Sequence, residues 1–172
     1  MKKLLYILLA LILIVLIAVF VISEKYHFEK SIVINAPVEK VYSHINSMKA
    51  FNDWNPWLKM DPNLTMSYTG TAGQVGDKYC WESNDKNVGD GCQEITGLVP
   101  NQKQSTKMEF EGMGESTSDI ILTPEGNATK VTWTLDSELE RPKNLFSLFM
   151  NGAMDKSYGE GLAKLKEIAE KQ

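Results

Sequence analysis

Nineteen consecutive apolar residues, Leu4 to Ile22, open the chain, and no charge, glycine or proline interrupts them. A helix over this run spans about 28 Å, close to the hydrocarbon thickness of a bilayer. Backbone in lipid must satisfy its own hydrogen bonds, so the run reads as a membrane-spanning helix. A cleaved signal peptide is the competing reading. Its apolar core is about 7–15 residues, followed by small residues. Here the run is longer and exits through Phe20-Val21-Ile22-Ser23-Glu24. That favours an anchor over 1–23, a linker over 24–27 and a soluble domain over 28–172. No polar residue interrupts the helix, so tethering fits better than a channel or proton relay. Lys2 and Lys3 favour a cytoplasmic amino terminus and a non-cytoplasmic domain. Lys25, Lys30 and Lys40 on the other side weaken that bias.

After the anchor the pattern changes. Phe28–Asn35 reads as a strand. Ala36-Pro37-Val38-Glu39 starts a helix with Val38, Val41, Tyr42 and Ile45 on its apolar stripe. Phe51-Asn-Asp-Trp-Asn-Pro-Trp57 holds a second short helix or turn, limited by Pro56. From Leu64 to Asp136 the period is two. Strands are expected over 64–69, 77–82, 91–98, 106–111, 117–123 and 129–136, with a turn at Pro124-Glu-Gly-Asn. Residues 145–171 return to helical spacing, with a break expected near Gly152. Met154, Tyr158, Leu162, Leu165 and Ile168 recur at steps of three and four.

This order implies an α+β domain: a curved antiparallel sheet of about seven strands whose apolar face is covered by the long C-terminal helix. Such a sheet closed over a helix leaves room for an internal cavity. Of 172 residues, 43% are apolar, and the two leading lysines aside there are 16 basic and 22 acidic residues. No basic stripe is present, so nucleic acid is not an expected partner. Two cysteines suit neither a disulfide scaffold nor a zinc site.

Four segments then resemble the SRPBCC, or START-like, helix-grip superfamily, in its polyketide cyclase/dehydrase and lipid-transport-like branch. They are Ile32-Val-Ile-Asn-Ala-Pro-Val-Glu-Lys-Val-Tyr42, Trp54-Asn-Pro-Trp57, Gly76-Asp-Lys-Tyr-Cys-Trp-Glu82 with Gly89-Asp-Gly91, and Gly161-Leu-Ala-Lys-Leu-Lys-Glu-Ile168. The resemblance covers about residues 28–170. It implies a binder of hydrophobic small molecules or lipids between sheet and long helix, or a cyclase or dehydratase. The fold alone does not choose between them. The N-terminal anchor departs from many members.

The residues themselves suggest little catalysis. The two histidines, His27 and His44, lie in no metal-ligand spacing, and no nucleophile elbow is present. No cofactor or metal is expected. Asp53, Glu82 and Glu109 read as solvated. Gln93, Tyr68, Tyr79 and Ser118 are inward polar candidates. The larger signal is aromatic: Trp54, Trp57, Tyr68, Tyr79, Trp81, Phe110, Trp133, Phe146, Met150, Met154 and Tyr158, with Met108, Met113 and Phe149, are assigned to one interior. They either fill a core or line a ligand cavity with adaptable apolar walls. If one hairpin is centred near Lys86, Cys80 lies opposite Cys92 within disulfide reach. A bridge suits an oxidising compartment; two free surface thiols are the alternative. The functional expectation is a membrane-tethered binder of a hydrophobic or lipid-like molecule. The alternatives are a cyclase-type enzyme and a protein-interaction module with a filled core.

Overall fold

The computed structural model describes residues 2–85, 88–111 and 114–171. Lys86 at the expected hairpin centre, and Met113 of the aromatic set, lie outside the described residues. Helix α1 (Lys2–Val21) leads into β1 (Lys25–Ile34), α2 (Val38–Ser43), α3 (Met48–Asn52) and a 3-10 turn (Pro56–Lys59). Six strands follow: β2 (Thr65–Thr69), β3 (Lys78–Glu82), β4 (Gly91–Val99), β5 (Lys103–Phe110), β6 (Gly114–Glu125) and β7 (Ala128–Glu138). A second 3-10 turn (Lys143–Phe146) opens into α4 (Ser147–Glu170). The strands form one antiparallel sheet in the order β1-β7-β6-β5-β4-β3-β2. This is the expected α+β grip: seven strands around a long C-terminal helix.

Alternation decides the faces. Val131, Trp133 and Leu135 of β7 point to the helix side, with Ile34 of β1 and Ile120 and Leu122 of β6. Tyr158, Leu162, Leu165 and Ala169 form the buried stripe of α4. Val41 of α2, Ile45 of the turn after it, and Met48 and Phe51 of α3 close one end of that core. A register shift between Ile95 and Gly97 bends β4, one source of the sheet's curvature.

Three expectations are corrected. First, β1 starts at Lys25, so three of the four residues assigned to a linker are already strand, and Tyr26 is buried. Second, Pro124 lies in β6 opposite Thr129, and the turn is at Gly126, whose φ is +65°. Beyond Ile121 no β5 residue pairs with β6, so the missing proline N–H costs no ladder bond on that side. Third, α4 runs unbroken through Gly152. An internal glycine costs a helix about 1 kcal/mol, which the packing of its neighbours overrides.

The far end of α1 is tied to the domain. The side-chain amide of Asn144, itself fully buried, donates to Val19 O at 2.8 Å and to Ile22 O at 2.9 Å. Arg141 Nε donates to Val19 O at 3.1 Å, and its guanidinium reaches Glu24 at 3.3 Å. These groups satisfy carbonyls that a helix C-terminus leaves without intrahelical partners.

Candidate functional site

The inner face of the sheet carries two aromatic groups of different character. In the first, Trp133 is the hub. Its ring lies 4.0 Å from Tyr158, 5.0 Å from Trp54, 5.6 Å from Trp57 and 5.7 Å from Phe51, centroid to centroid. Edge-on contacts dominate, as ring quadrupoles favour. A Cβ on Gly161 would stand 2.9 Å from the Trp133 ring and 3.1 Å from Pro56. Only glycine therefore lets α4 approach this closely. Trp54, Trp133 and Tyr158 are at most 2% exposed. This centre is packed with rings, which fill the place where a cavity was expected.

The second group is a strip along the other wing: Tyr68, Tyr79, Trp81 and Phe110, with successive centroids 6.2, 5.5 and 5.7 Å apart. Gly91 makes this possible, since a Cβ there would stand 2.5 Å from the Trp81 ring. Strand β2 is the sheet edge and is exposed throughout, so Tyr68 remains 45% accessible and Met66 40%. Helix α4 packs along β1 and the 3-10 turn over Pro56–Lys59. Tyr79 and Trp81 are themselves buried and Phe110 half-buried, so the strip opens to solvent at Tyr68 on the β2 edge. Met150 and Met154, from the first half of α4, pack half-buried against the core.

A chain of uncharged polar groups runs beneath both. Trp133 Nε1 donates to Ser118 Oγ at 2.9 Å, and Ser118 Oγ donates to Thr134 O at 2.6 Å. Thr106 Oγ1 donates to Ser118 O at 3.3 Å and accepts from Gln93 Nε2 at 3.0 Å. Tyr79 OH donates to Gln93 Oε1 at 3.3 Å and accepts from Asn55 Nδ2 at 3.1 Å. Asn55 also donates to Asn52 Oδ1, whose amide donates to Tyr68 OH at 3.0 Å. The four inward polar residues expected from the sequence all belong to this chain. Burial pushes the Tyr79 and Tyr158 hydroxyls well above the ordinary phenol range, so both stay neutral donors.

The carboxylates stand apart. Asp53 and Glu82 are exposed. Glu109 is half-buried on the outer face, 2.6 Å from Lys107, whose hydrogen bond and charge hold it below the usual carboxylate range. No buried acid–base pair touches the aromatic strip among the described residues. They also hold no group of three or more His, Cys, Asp and Glu able to bind a metal ion.

Several residues escape a reading of the sequence. Asn52, Asn55 and Thr106 complete the polar chain; the two asparagines flank Trp54 in a segment valued for its aromatics. Gln104 is buried, donates to Ile45 O, and leaves Oε1 without a partner among the described residues. Asp77 is 4% exposed and accepts from the backbone N–H of Met48 and of Gly73, both at 3.0 Å, clasping α3 to the loop before β3. One assignment fails: Phe146 is 65% exposed and Phe149 80%, so neither belongs to the interior. Cys80 and Cys92 are paired in register on the outer face and bonded to each other. Two depressions among the described residues both lie away from the aromatic strip. The larger, about 490 Å³, is open and lies at the ends of β1, β6 and β7 beside Tyr26, His27 and Asp136. The other lies on the outer face by Cys92 and Glu109.

A curved antiparallel sheet gripping a C-terminal helix defines a helix-grip domain. Residues 25–170 match the family model "Polyketide cyclase / dehydrase and lipid transport", and the chain belongs to that family. No curated protein sequence matches it. Solved structures share the fold at low identity. A protein from Thermus thermophilus is 19% identical with a TM-score of 0.62, covering 83% of this chain and 96% of that one. The protein Ara h 8.0201 is 10% identical with a TM-score of 0.60, covering 84% and 97%. The di-domain ARO/CYC StfQ from the steffimycin biosynthetic pathway is 11% identical with a TM-score of 0.63. There the match covers 85% of this chain and 51% of StfQ.

Proposed function

We propose that this chain is a membrane-tethered domain that binds a hydrophobic or lipid-like small molecule between the first half of α4 and the aromatic strip of β2–β5. The observation that carries the reading is the strip itself: Tyr68, Tyr79, Trp81 and Phe110 line a concave face that is open at the β2 edge. Rings and methionines offer an adaptable apolar wall, and the buried amides and hydroxyls behind them orient a ligand without charge. The family's lipid-transport description supports the same chemistry. Helix α1 would hold the domain beside its ligand's source. It is 20 residues long, apolar and unburied. Lys2 and Lys3 in its first turn, and the Cys80–Cys92 bond, support a domain on the non-cytoplasmic side.

A second reading, a protein-interaction module, draws on the ring-filled centre around Trp133. Native mass spectrometry of the full chain separates the two. A co-purifying apolar molecule near one per chain, and displacement of a fluorescent fatty acid, are expected. A ligand-free chain that binds neither fatty acids nor sterols would overturn the binding reading.

A further inference from the structure

From Asn144 to Met154 the chain reads Asn-Leu-Phe-Ser-Leu-Phe-Met-Asn-Gly-Ala-Met, with no charge between Lys143 and Asp155. The first turns of α4 are uncharged, and their polar residues Ser147 and Asn151 fall on one face, leaving Leu148 and Phe149 off it. An exposed apolar helix face is at home against a partner or in lipid, not in water. Yet Phe146, Leu148 and Phe149 are 65%, 61% and 80% exposed. Phe146 ends the 3-10 turn that packs against α1, and Leu148 and Phe149 follow directly on it. Asn144, two residues before Phe146, donates to Val19 O and Ile22 O in the last turn of α1. Arg141 also bonds Val19 O, and its guanidinium lies 5.6 Å from the Phe20 ring. Phe20 and Val21 are themselves 71% and 77% exposed.

We propose that the start of α4 and the end of the 3-10 turn before it, through Phe146, Leu148 and Phe149, are immersed in the interfacial layer of the membrane that holds α1. The inference rests on the tethering reading. A 20-residue helix is about 30 Å long, so its last turn stands at the membrane–water boundary. Side chains hydrogen-bonded to Val19 O are at that depth. The apolar cluster begins two residues further on, so the bilayer surface is its nearest cover. Phe and Leu partition into this layer, and the neighbouring Arg141 and Lys143 suit the headgroups above it. The donation of Asn144 and Arg141 to the helix end fits the same boundary, where water is scarce and open carbonyls are costly. The occupant is thus lipid of the leaflet on the domain's side.

The far end of the domain supplies a control. Strand β1 leaves the end of α1 at Lys25 and runs ten residues, about 33 Å, to Ile34, which pairs with Thr129. Asn127, in the adjoining turn, is remote from the junction. Full-length chains carrying Phe149→Cys or Asn127→Cys are labelled with an environment-sensitive fluorophore without reductant, so that Cys80 and Cys92 stay bonded. They are reconstituted into phosphatidylcholine vesicles containing nitroxide-labelled lipid. The expected result is co-flotation of both, with the label at 149 quenched several-fold more by nitroxide lipid than by aqueous iodide, and the label at 127 the reverse. A chain that floats while position 149 behaves like 127 overturns the immersion and leaves the tether standing. A chain that does not float overturns the tether and the immersion together. A label at 149 shielded from both quenchers marks cover by a second copy and also overturns it.

Discussion

Trp133 on β7 reaches diagonally past its register partner Ile120 to Ser118 on β6, the indole N–H donating to the hydroxyl at 2.9 Å. That one bond joins the aromatic hub to the polar chain. Without it the indole N–H would be buried and unpaired, and Ser118 would also lose its hold on Thr134 O. Ser118→Ala is therefore expected to cost about 1–3 kcal/mol, the usual penalty for a stranded buried donor. Denaturant unfolding checks this. The cost should shrink in a Trp133→Phe background, where no donor is left to strand.

Gly161 gives a steric test of the same hub. Its missing Cβ makes room for Trp133 and Pro56, neither of which sits at the end of a flexible side chain. Gly161→Ala gains helix propensity but forces α4 away from the rings. A net loss of about 1–3 kcal/mol is expected, with altered tryptophan emission. Gly152→Ala, with open space at its Cβ, should instead stabilise by up to about 1 kcal/mol.

The disulfide closes a loop with a sequence separation of 12. Constraining a loop of that size is worth about 2–3 kcal/mol through the unfolded chain. A Cys80→Ser/Cys92→Ser chain should lose about that much stability. Its ligand binding should be retained, because both residues lie on the outer face. Thiol titration without reductant should find no free thiol in the parent chain.

Acid should loosen the protein in two stages. Burial lowers the folded pKa of His44, and Lys40 adds to this, while Asp53 opposes it. The unfolded chain then binds the proton more readily, so this stability is present above about pH 6.5 and declines as pH falls below it. His44→Asn should flatten that stage. Lower down, hydrogen bonds from Lys164 and Lys171 hold Glu167 at about 2, and the Asn35 N–H lowers Glu170. Their contribution is present above about pH 4.5 and lost as pH falls toward 2. Glu170→Gln should remove part of it, because its carboxylate fastens Asn35 to the end of α4 at 2.7 Å. Unfolding midpoints measured from pH 8 to pH 2 check both stages.

The strands are legible because alternation is a direct image of a half-buried sheet. Tyr79, Trp81 and Trp133 fall inward by the same rule that places Lys130 outside. What alternation does not tell is how the inward rings meet. Trp133 is a hub because α4 carries a glycine opposite it, a fact about two segments far apart in sequence. Gln104 escapes because clear alternation starts only two residues later, although Gln104, Thr106 and Met108 share one face. Phe146 fails for a different reason. It precedes the part of α4 that the sheet covers, and helical spacing carries no information about where the cover stops. Asn52 and Asn55 are legible as residues but not as partners, since their roles depend on where Tyr68 and Tyr79 arrive.

The clasp of Asn144 and Arg141 on α1 changes what the proposed tether would mean. Only Ile22, Ser23 and Glu24 separate α1 from β1, and the side chains across the joint remove most of its swivel. With α1 in a bilayer, as proposed, such a domain would have almost no reach. It would turn when its helix turns, keep one face toward the lipid and diffuse with it as a single piece. A ligand would then have to come to that face or travel alongside it, in the manner of a vessel fixed to its mooring rather than one swinging on a rope.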